Sequence, residues 1–400
     1  MHERGMPQAL KIGLLTHSVN PRGGVVHTLE LAQALHRAGH EVTVMAPAMA
    51  GQRMFRPVHC RLQLLPVDQA SPGMAGMVNS RIEAFKRHLS TLLAHEQFDV
   101  LHAQDPIGAN ALADLQEQSL IDGFVRTVHH LDNFDDARLM AWQQRGYLAA
   151  QQVLCVSQLW RDVLRRAHGI DAALVHNGVD CTRYTRQRDT TDAQLARRLG
   201  LRGGRDAPVF LSIGGIEERK NTLRILQAFL ALRSDHAQAQ LVIAGGASLL
   251  DHDAYTREFQ TLAAAHGLQA GPGRELVLTG PLADAEMPAL FRAADALVMP
   301  SLREGFGLVV LEALASGTPV VVSRMAPFTE YLGDADCCWA DPQDAASIAQ
   351  AMRSALAPAW RQALAQTPAV CRRFGWPASA ARHADLYRAH AALSRHAAAL

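Results

Sequence analysis

Apolar residues along this chain come in short uninterrupted runs, and between the runs they recur at helical spacing. Residues 10–16, 41–46, 62–67, 98–103, 124–129 and 153–157 read as buried strands bounded by polar turn residues. Between the first two, residues 25–38 carry Leu29, Leu31, Ala34 and Leu35 as one stripe closed by Gly39, and further helices are predicted near 79–95, 107–118 and 136–150. Strands alternating with helices predict βαβ units and a parallel sheet. The pattern breaks over residues 180–208, which are rich in Arg, Asp and Thr and read as an interdomain connection with one small helix. It then restarts, with strands predicted at 209–213, 240–244, 275–279, 296–300, 319–323 and 337–339 and helices near 221–234, 253–266, 285–293, 307–316 and 344–356.

The chain therefore divides into a first Rossmann-like α/β domain (1–180), a linker (181–207), a second Rossmann-like domain (208–375) and a terminal Ala/Arg/His-rich helix (376–400). The apolar stripe of that helix needs a partner, and the first domain is the expected one. Two such halves predict a ligand in a cleft between them, at the carboxyl ends of the strands. Segment 69–78 is small, flexible and Met-bearing, and is expected as a mobile loop on the acceptor side.

Composition narrows the picture. A hydrophobic content of 48% excludes a disordered or fibrous chain. Lys and Arg (39) against Asp and Glu (38) leave a formal charge of +1, without the basic excess of a nucleic-acid binder. The six cysteines, at 60, 155, 181, 337, 338 and 371, form no C-x-x-C pair and are too sparse for a disulfide scaffold. No secretory signal and no run of about 18 apolar residues is evident, so a cytoplasmic protein without a transmembrane segment is expected. The helix with Arg81, Lys86, Arg87 and His88 is mildly basic. That reads first as a solvated face, and peripheral membrane contact stays open.

Candidate chemistry concentrates in residues 299–321. A strand ends at Pro300, a glycine-bearing loop follows, and a helix begins near Gly307, so free N–H groups and the helix dipole offer a phosphate site. Glu304 and Glu312 bracket that loop; on a continuous helix they would lie about 12 Å apart, comparable with the length of a nucleotide sugar. Lys220 ends the loop that follows strand 209–213, where a lysine can neutralise a diphosphate leaving group. Gly23-Gly24 sits between the first strand and helix, where glycine backbone admits a close ligand, although a tight turn is the commoner reason for such a pair. His129 closes a strand and points toward the expected cleft. His130 beside it faces the other way in extended chain, which argues against a shared metal.

Glu304-Gly-Phe-Gly-Leu-Val-Val-Leu-Glu312, continued by Ala-Leu-Ala-Ser-Gly-Thr-Pro-Val, resembles the E-x7-E segment of family 4 retaining glycosyltransferases. Gly23-Gly24, Thr127-Val128-His129, Asn177-Gly-Val-Asp180 and Phe210-Leu-Ser-Ile-Gly214 with Lys220-Asn221 resemble other elements of that family, in order, over about residues 10–340. The resemblance implies the GT-B fold, two facing Rossmann-like domains with a central cleft. It implies retaining transfer of a hexose from a nucleotide-diphosphate sugar to an acceptor hydroxyl, with no cofactor and no catalytic metal. By the same resemblance His129 and Glu304 hold the donor sugar, Lys220 the departing diphosphate and Glu312 the ribose, with Gly23, Gly24, Gly305, Phe306, Gly307 and Leu308 around the donor. Asp105 and Asp132 are weaker acceptor-side candidates, with surface or turn roles as their alternative.

One departure stands out. The family carries an arginine several residues before its lysine, and here that place falls on Gly215. Arg219, next to Lys220, is the nearest stand-in, with Arg303 a further candidate. The rivals to a transferase are accordingly a catalytically degenerate nucleotide-sugar-binding protein, a GT-B nucleotide-sugar epimerase and, less well matched in length, a phosphorylase.

Overall fold

The structure is a computed structural model that describes residues 8–68, 72–204, 206–246 and 252–397. The chain folds into two compact units, one of Met1–Asn177 with Trp376–Leu400 and one of Gly178–Gly375.

In the first unit the elements run β1 (Lys11–Leu15), α1 (Gly23–Arg37), β2 (Glu41–Ala48), β3 (Arg61–Pro66), α2 (Gly73–Leu93), β4 (Val100–Ala103), α3 (Pro106–Glu117), β5 (Val125–Val128), α4 (Ala137–Leu148), β6 (Gln152–Cys155), α5 (Gln158–His168) and β7 (Ala173–Leu174). The second holds α6 (Thr190–Leu199), β8 (Val209–Ile213), α7 (Thr222–Leu232), β9 (Gln240–Ala244), α8 (Asp253–Ala265), β10 (Leu276–Gly280), α9 (Met287–Ala293), β11 (Ala296–Met299), α10 (Leu308–Ala315), β12 (Val320–Ser323), α11 (Phe328–Tyr331), β13 (Cys338–Ala340), α12 (Ala345–Ala355), α13 (Pro358–Ala363) and α14 (Ala369–Arg373). The last helix, α15 (Trp376–Ala397), belongs to the first unit.

Both sheets are parallel, in the orders β3-β2-β1-β4-β5-β6-β7 and β10-β9-β8-β11-β12-β13. Each is the doubly wound arrangement, in which strand order reverses beside the first strand and a crevice opens at the carboxyl ends there. The reversal falls at β1/β4 in one unit and at β8/β11 in the other. Strands such as β9 and β11 are buried throughout, which is why they appear in the sequence as unbroken apolar runs.

Two segments differ from the sequence reading. Residues 73–78 of the expected loop form the first turns of α2, while residues 69–71 lie outside the described residues. The stretch 181–207 is part of the second unit and no separate connection: buried Arg292 on α9 donates to both carboxylate oxygens of Asp192 on α6, at 2.9 and 2.6 Å, and to Asp189, the cap of that helix, at 3.1 Å. Two acids of the stretch read as a connection, Asp189 and Asp192, are there paired with one arginine. Helix α15 lays Trp376, Ala380, Ala384, Tyr387 and Ala391 inward and packs on α1 and β4.

Candidate active site

In the second unit the loops after β8, β9 and β11 meet at the strand-order reversal. Gly214 and Gly215 both donate their N–H to Ala244 O, at 2.8 and 3.1 Å, and both have positive φ, +126° and +78°. A Cβ on Gly215 would lie 2.7 Å from Gly246 O, a backbone atom, whereas one on Gly214 would meet only the flexible Lys220 side chain, 2.9 Å from Cε. At position 215 glycine is thus required by close approach of two loops. A single 3₁₀ turn, Glu218–Lys220, follows, and Asn221 in the left-handed region ties it down by donating to Pro300 O (3.0 Å) and Pro342 O (2.7 Å). Leu302 N–H donates to Arg219 O at 2.9 Å, stitching the β8 and β11 loops together.

This turn aims two adjacent cations at one carboxylate. Lys220 Nζ pairs with Glu304 Oε1, and Arg219 Nη1 lies 3.2 Å from the same oxygen. Arg219 Nε lies 3.3 Å from Oε1 of Glu217, a buried acid that also has His252 Nε2 at 3.8 Å. Burial lowers the Lys220 ammonium pKa, and the Arg219 charge adds to that, against the pull of Glu304 and Glu217. Neighbouring side chains in a loop need not point together; here Arg219 and Lys220 do.

Residues 304–307 are loop, and the helix starts only at Leu308, so Glu304 and Glu312 do not lie along one helix. Gly307 caps α10 with φ +89° and no side chain, beneath the Phe328 ring that a Cβ would strike at 2.6 Å. The first turn of α10, led by Leu308, therefore has no side-chain cap, which suits it to an incoming anion. Gly305 is part-buried in the loop, and Glu312 is buried on the second turn. The Phe306 ring is buried, stacked on Tyr331 at 4.7 Å and 8°, and Tyr331 Oη donates to Phe306 O at 2.9 Å. The aromatic pair holds the loop in shape.

In the first unit Gly24 and His129 come together. Gly24 lies on the first turn of α1, where a Cβ would be 3.8 Å from His129 Cδ2, and Gly23 before it faces open space. Neither is forced by crowding or by a positive φ. His129 Nε2 is 3.1 Å from Gln104 Oε1. Burial, with His27 and Arg126 nearby, holds its pKa well below the usual histidine range, so the ring is neutral, donates through Nε2 to the amide oxygen and keeps its lone pair on Nδ1. It stands in a buried group with His27 (centroids 4.6 Å apart), Trp376 and His383, while His102 links Tyr387 Oη (2.6 Å) to Thr127 Oγ1 (2.8 Å). His130 turns outward to Asp132 at 3.1 Å.

The two acceptor-side candidates have structural partners. Asp105 caps α3 by accepting from Gly108 N–H at 2.9 Å and lies 3.5 Å from His17 Nδ1. Asp132 is held by His130 and by a two-way bond of its backbone to Gln143. Sequence reasoning missed Gln104 and Glu217. Gln104 follows β4 and Glu217 lies in the β8 loop, so strand-end position was the available signal for both.

Two family models match the chain: "Glycosyltransferase Family 4" over residues 21–183 and "Glycosyl transferases group 1" over residues 202–366. The chain is 30% identical over 338 residues to the phosphatidyl-myo-inositol mannosyltransferase of Mycolicibacterium smegmatis, covering 82% of this chain and 79% of that protein. It is 29% identical over 394 residues to the D-inositol 3-phosphate glycosyltransferase of Xylanimonas cellulosilytica, 91% of each. Among solved structures, HepE from Anabaena in complex with UDP and glucose superposes with a TM-score of 0.74 at 17% identity, over 94% of this chain and 99% of that one. Sucrose-phosphate synthase from Thermosynechococcus elongatus gives 0.76 at 22%, over 96% and 99%. Two parallel Rossmann-like units with these neighbours define the GT-B class. The chain belongs to the family 4, group 1 glycosyltransferases, and it is a glycosyltransferase.

Proposed function

We propose that the protein transfers a hexose from a nucleotide-diphosphate sugar to an acceptor hydroxyl with retention of anomeric configuration and without a catalytic metal. The observation that carries the reading is the convergence of Lys220 and Arg219 on Glu304, beside the uncapped first turn of α10. Departure of a diphosphate builds negative charge, and fixed cations with oriented N–H groups stabilise that charge where it develops. Arg219 fills the role of the arginine that Gly215 replaces, so the charge a metal would neutralise falls to the Arg219–Lys220 pair.

The remaining roles follow the family pattern. Glu312 holds the ribose. Glu304 and His129 serve the donor sugar, His129 through its carbonyl or Nδ1 because Nε2–H is engaged by Gln104. Gly23, Gly24, Gly305, Phe306, Gly307 and Leu308 offer backbone. No side chain in this set is placed as a nucleophile. In the front-face reaction proposed, the bond between the anomeric carbon and the phosphate oxygen breaks, the acceptor oxygen bonds on the same face, and the departing phosphate takes the acceptor proton.

The names of the relatives and neighbours make UDP-sugars, mannosyl donors and inositol-bearing acceptors such as D-inositol 3-phosphate the first compounds to try. A cytoplasmic location is part of the proposal, supported by six cysteines too sparse for a disulfide scaffold. The described residues include no helix long and apolar enough to cross a membrane. The test is turnover of a UDP-, GDP- and ADP-sugar panel with these acceptors, product configuration read by proton NMR. Transfer that persists in EDTA with a retained anomer is expected; an inverted anomer or loss of activity in EDTA would overturn the corresponding part.

A further inference from the structure

Both cations of the proposed phosphate site are already engaged by the protein's own acids. Lys220 and Arg219 share Glu304 Oε1, and Arg219 also faces Glu217. The side chains of Lys220 and Glu304 are only 13% and 8% exposed, so this pair forms away from bulk water, where an ion pair is stronger and the loss of one partner is costly. Two positive charges meet two negative ones.

A diphosphate arriving at Lys220 and Arg219 thus meets cations whose charge is compensated. If Glu304 stays on Lys220, its carboxylate repels the phosphate; if it turns away, it loses its partners and needs others. A sugar nucleotide brings those others, because sugar hydroxyls can donate to a displaced carboxylate. A free nucleoside diphosphate has no hydroxyl at that end.

We infer that Glu304 is an exchangeable internal counter-ion that makes the site discriminate the sugar-nucleotide donor from the nucleoside diphosphate product. It leaves Lys220 and Arg219 for the donor's hydroxyls, and returns to them once the sugar has been transferred, favouring release of the diphosphate. The inference rests on the donor reading above and adds a second role to a residue otherwise assigned only to sugar binding. It also bears on why the loop holding Glu304 is pinned so firmly: Leu302 N–H on Arg219 O and the Phe306–Tyr331 stack keep the carboxylate within reach of both partners.

The experiment compares wild type with Glu304→Gln, which keeps the shape and an acceptor oxygen but removes the charge. Calorimetric titrations use UDP with UDP-glucose, GDP with GDP-mannose and ADP with ADP-glucose. The nucleoside diphosphate is expected to bind the variant about tenfold more tightly, within the usual range of coupling between sites. The sugar nucleotide should bind equally or more weakly, so the preference for donor over product shrinks or inverts. Glu304→Ala should move the diphosphate in the same direction and serves if the glutamine variant misfolds by circular dichroism. Unchanged or weaker diphosphate binding overturns the inference, as does equal tightening of both ligands, which would be mere removal of a negative charge. If the wild type binds none of the three diphosphates, the donor reading itself fails and the inference falls with it; if it binds one and neither variant tightens it, the inference alone falls.

Discussion

Replacement of Gly215 tests whether this chain has lost an arginine or has a backbone that excludes one. At φ +78° any residue with a Cβ sits in the left-handed region, at a cost of about 1–2 kcal/mol. Its Cβ would also lie 2.7 Å from Gly246 O, with Gly245 O at 3.7 Å, and both atoms are backbone that cannot swing aside. Overpacking of this kind costs roughly 1–3 kcal/mol. Together Gly215→Ala should destabilise the second unit by about 2–5 kcal/mol, a fall in melting temperature of roughly 4–20 °C for a unit of this size. Gly215→Arg should do at least as much and should not raise kcat/KM, whereas Arg219→Ala should lower kcat/KM about tenfold or more. Guanidinium unfolding followed by circular dichroism, with donor turnover on the same preparations, measures both. Gly215→Ala unfolding within about 0.5 kcal/mol of wild type, or a Gly215→Arg enzyme more active than wild type, would refute the reasoning.

Other outcomes follow from the same geometry. Lys220→Ala, assayed below its melting transition, should lower kcat/KM by about 10²–10³, and an unchanged rate would remove the lysine from the diphosphate. Because burial lowers the Lys220 pKa from 10.5, the charged form is lost as pH rises through that lowered value; an alkaline limb of kcat/KM below 10.5 is expected, moved upward in Lys220→Arg. Glu312→Ala should weaken nucleoside diphosphate affinity about tenfold, read by calorimetry, and unaltered binding of UDP, GDP and ADP would take it from the ribose. His27 and His383, buried with pKa values lowered to about 3 and about 4, bind protons in the unfolded chain first. Stability of the first unit should therefore be level above pH 6.5 and fall between pH 6.5 and about 4, with a shallower fall in His27→Asn; a flat midpoint across that window would exclude the effect.

The elements visible in the sequence are those whose burial is local and complete. Strands β8 and β9 occupy the predicted residues 209–213 and 240–244, because a central parallel strand is apolar on both faces and needs no long-range information to be read. Helix α5 was not anticipated, since it buries only Trp160 and Leu164 fully and five of its eleven residues are Arg, Asp or His. The meaning of 181–207 was hidden because its acids answer to Arg292, a hundred positions downstream of Asp192. Within the site, the segment from Glu304 to Glu312 is contiguous and was legible as a unit. The joint aim of Arg219 and Lys220 was not, because it depends on a 3₁₀ turn fixed by Asn221 from two other loops. The glycine-only character of position 215 depends on Gly246, in a loop about thirty residues away.

The chain leaves the first unit at Asn177 and re-enters it at Trp376, so the second unit is spliced into the first as one uninterrupted piece. Its two ends lie side by side: Val179 N–H donates to Phe374 O at 2.8 Å, and Val179 bridges Gly375 in parallel. Adjacent termini are the condition under which an inserted module can be exchanged or joined end to end with little strain. Two cuts, at 177/178 and 375/376, would lift out Lys220, Arg219, Glu304 and Glu312 together as a cassette. The histidines around His129 would stay behind with the helix that covers them, so the two sets of residues can be exchanged separately between chains of this family.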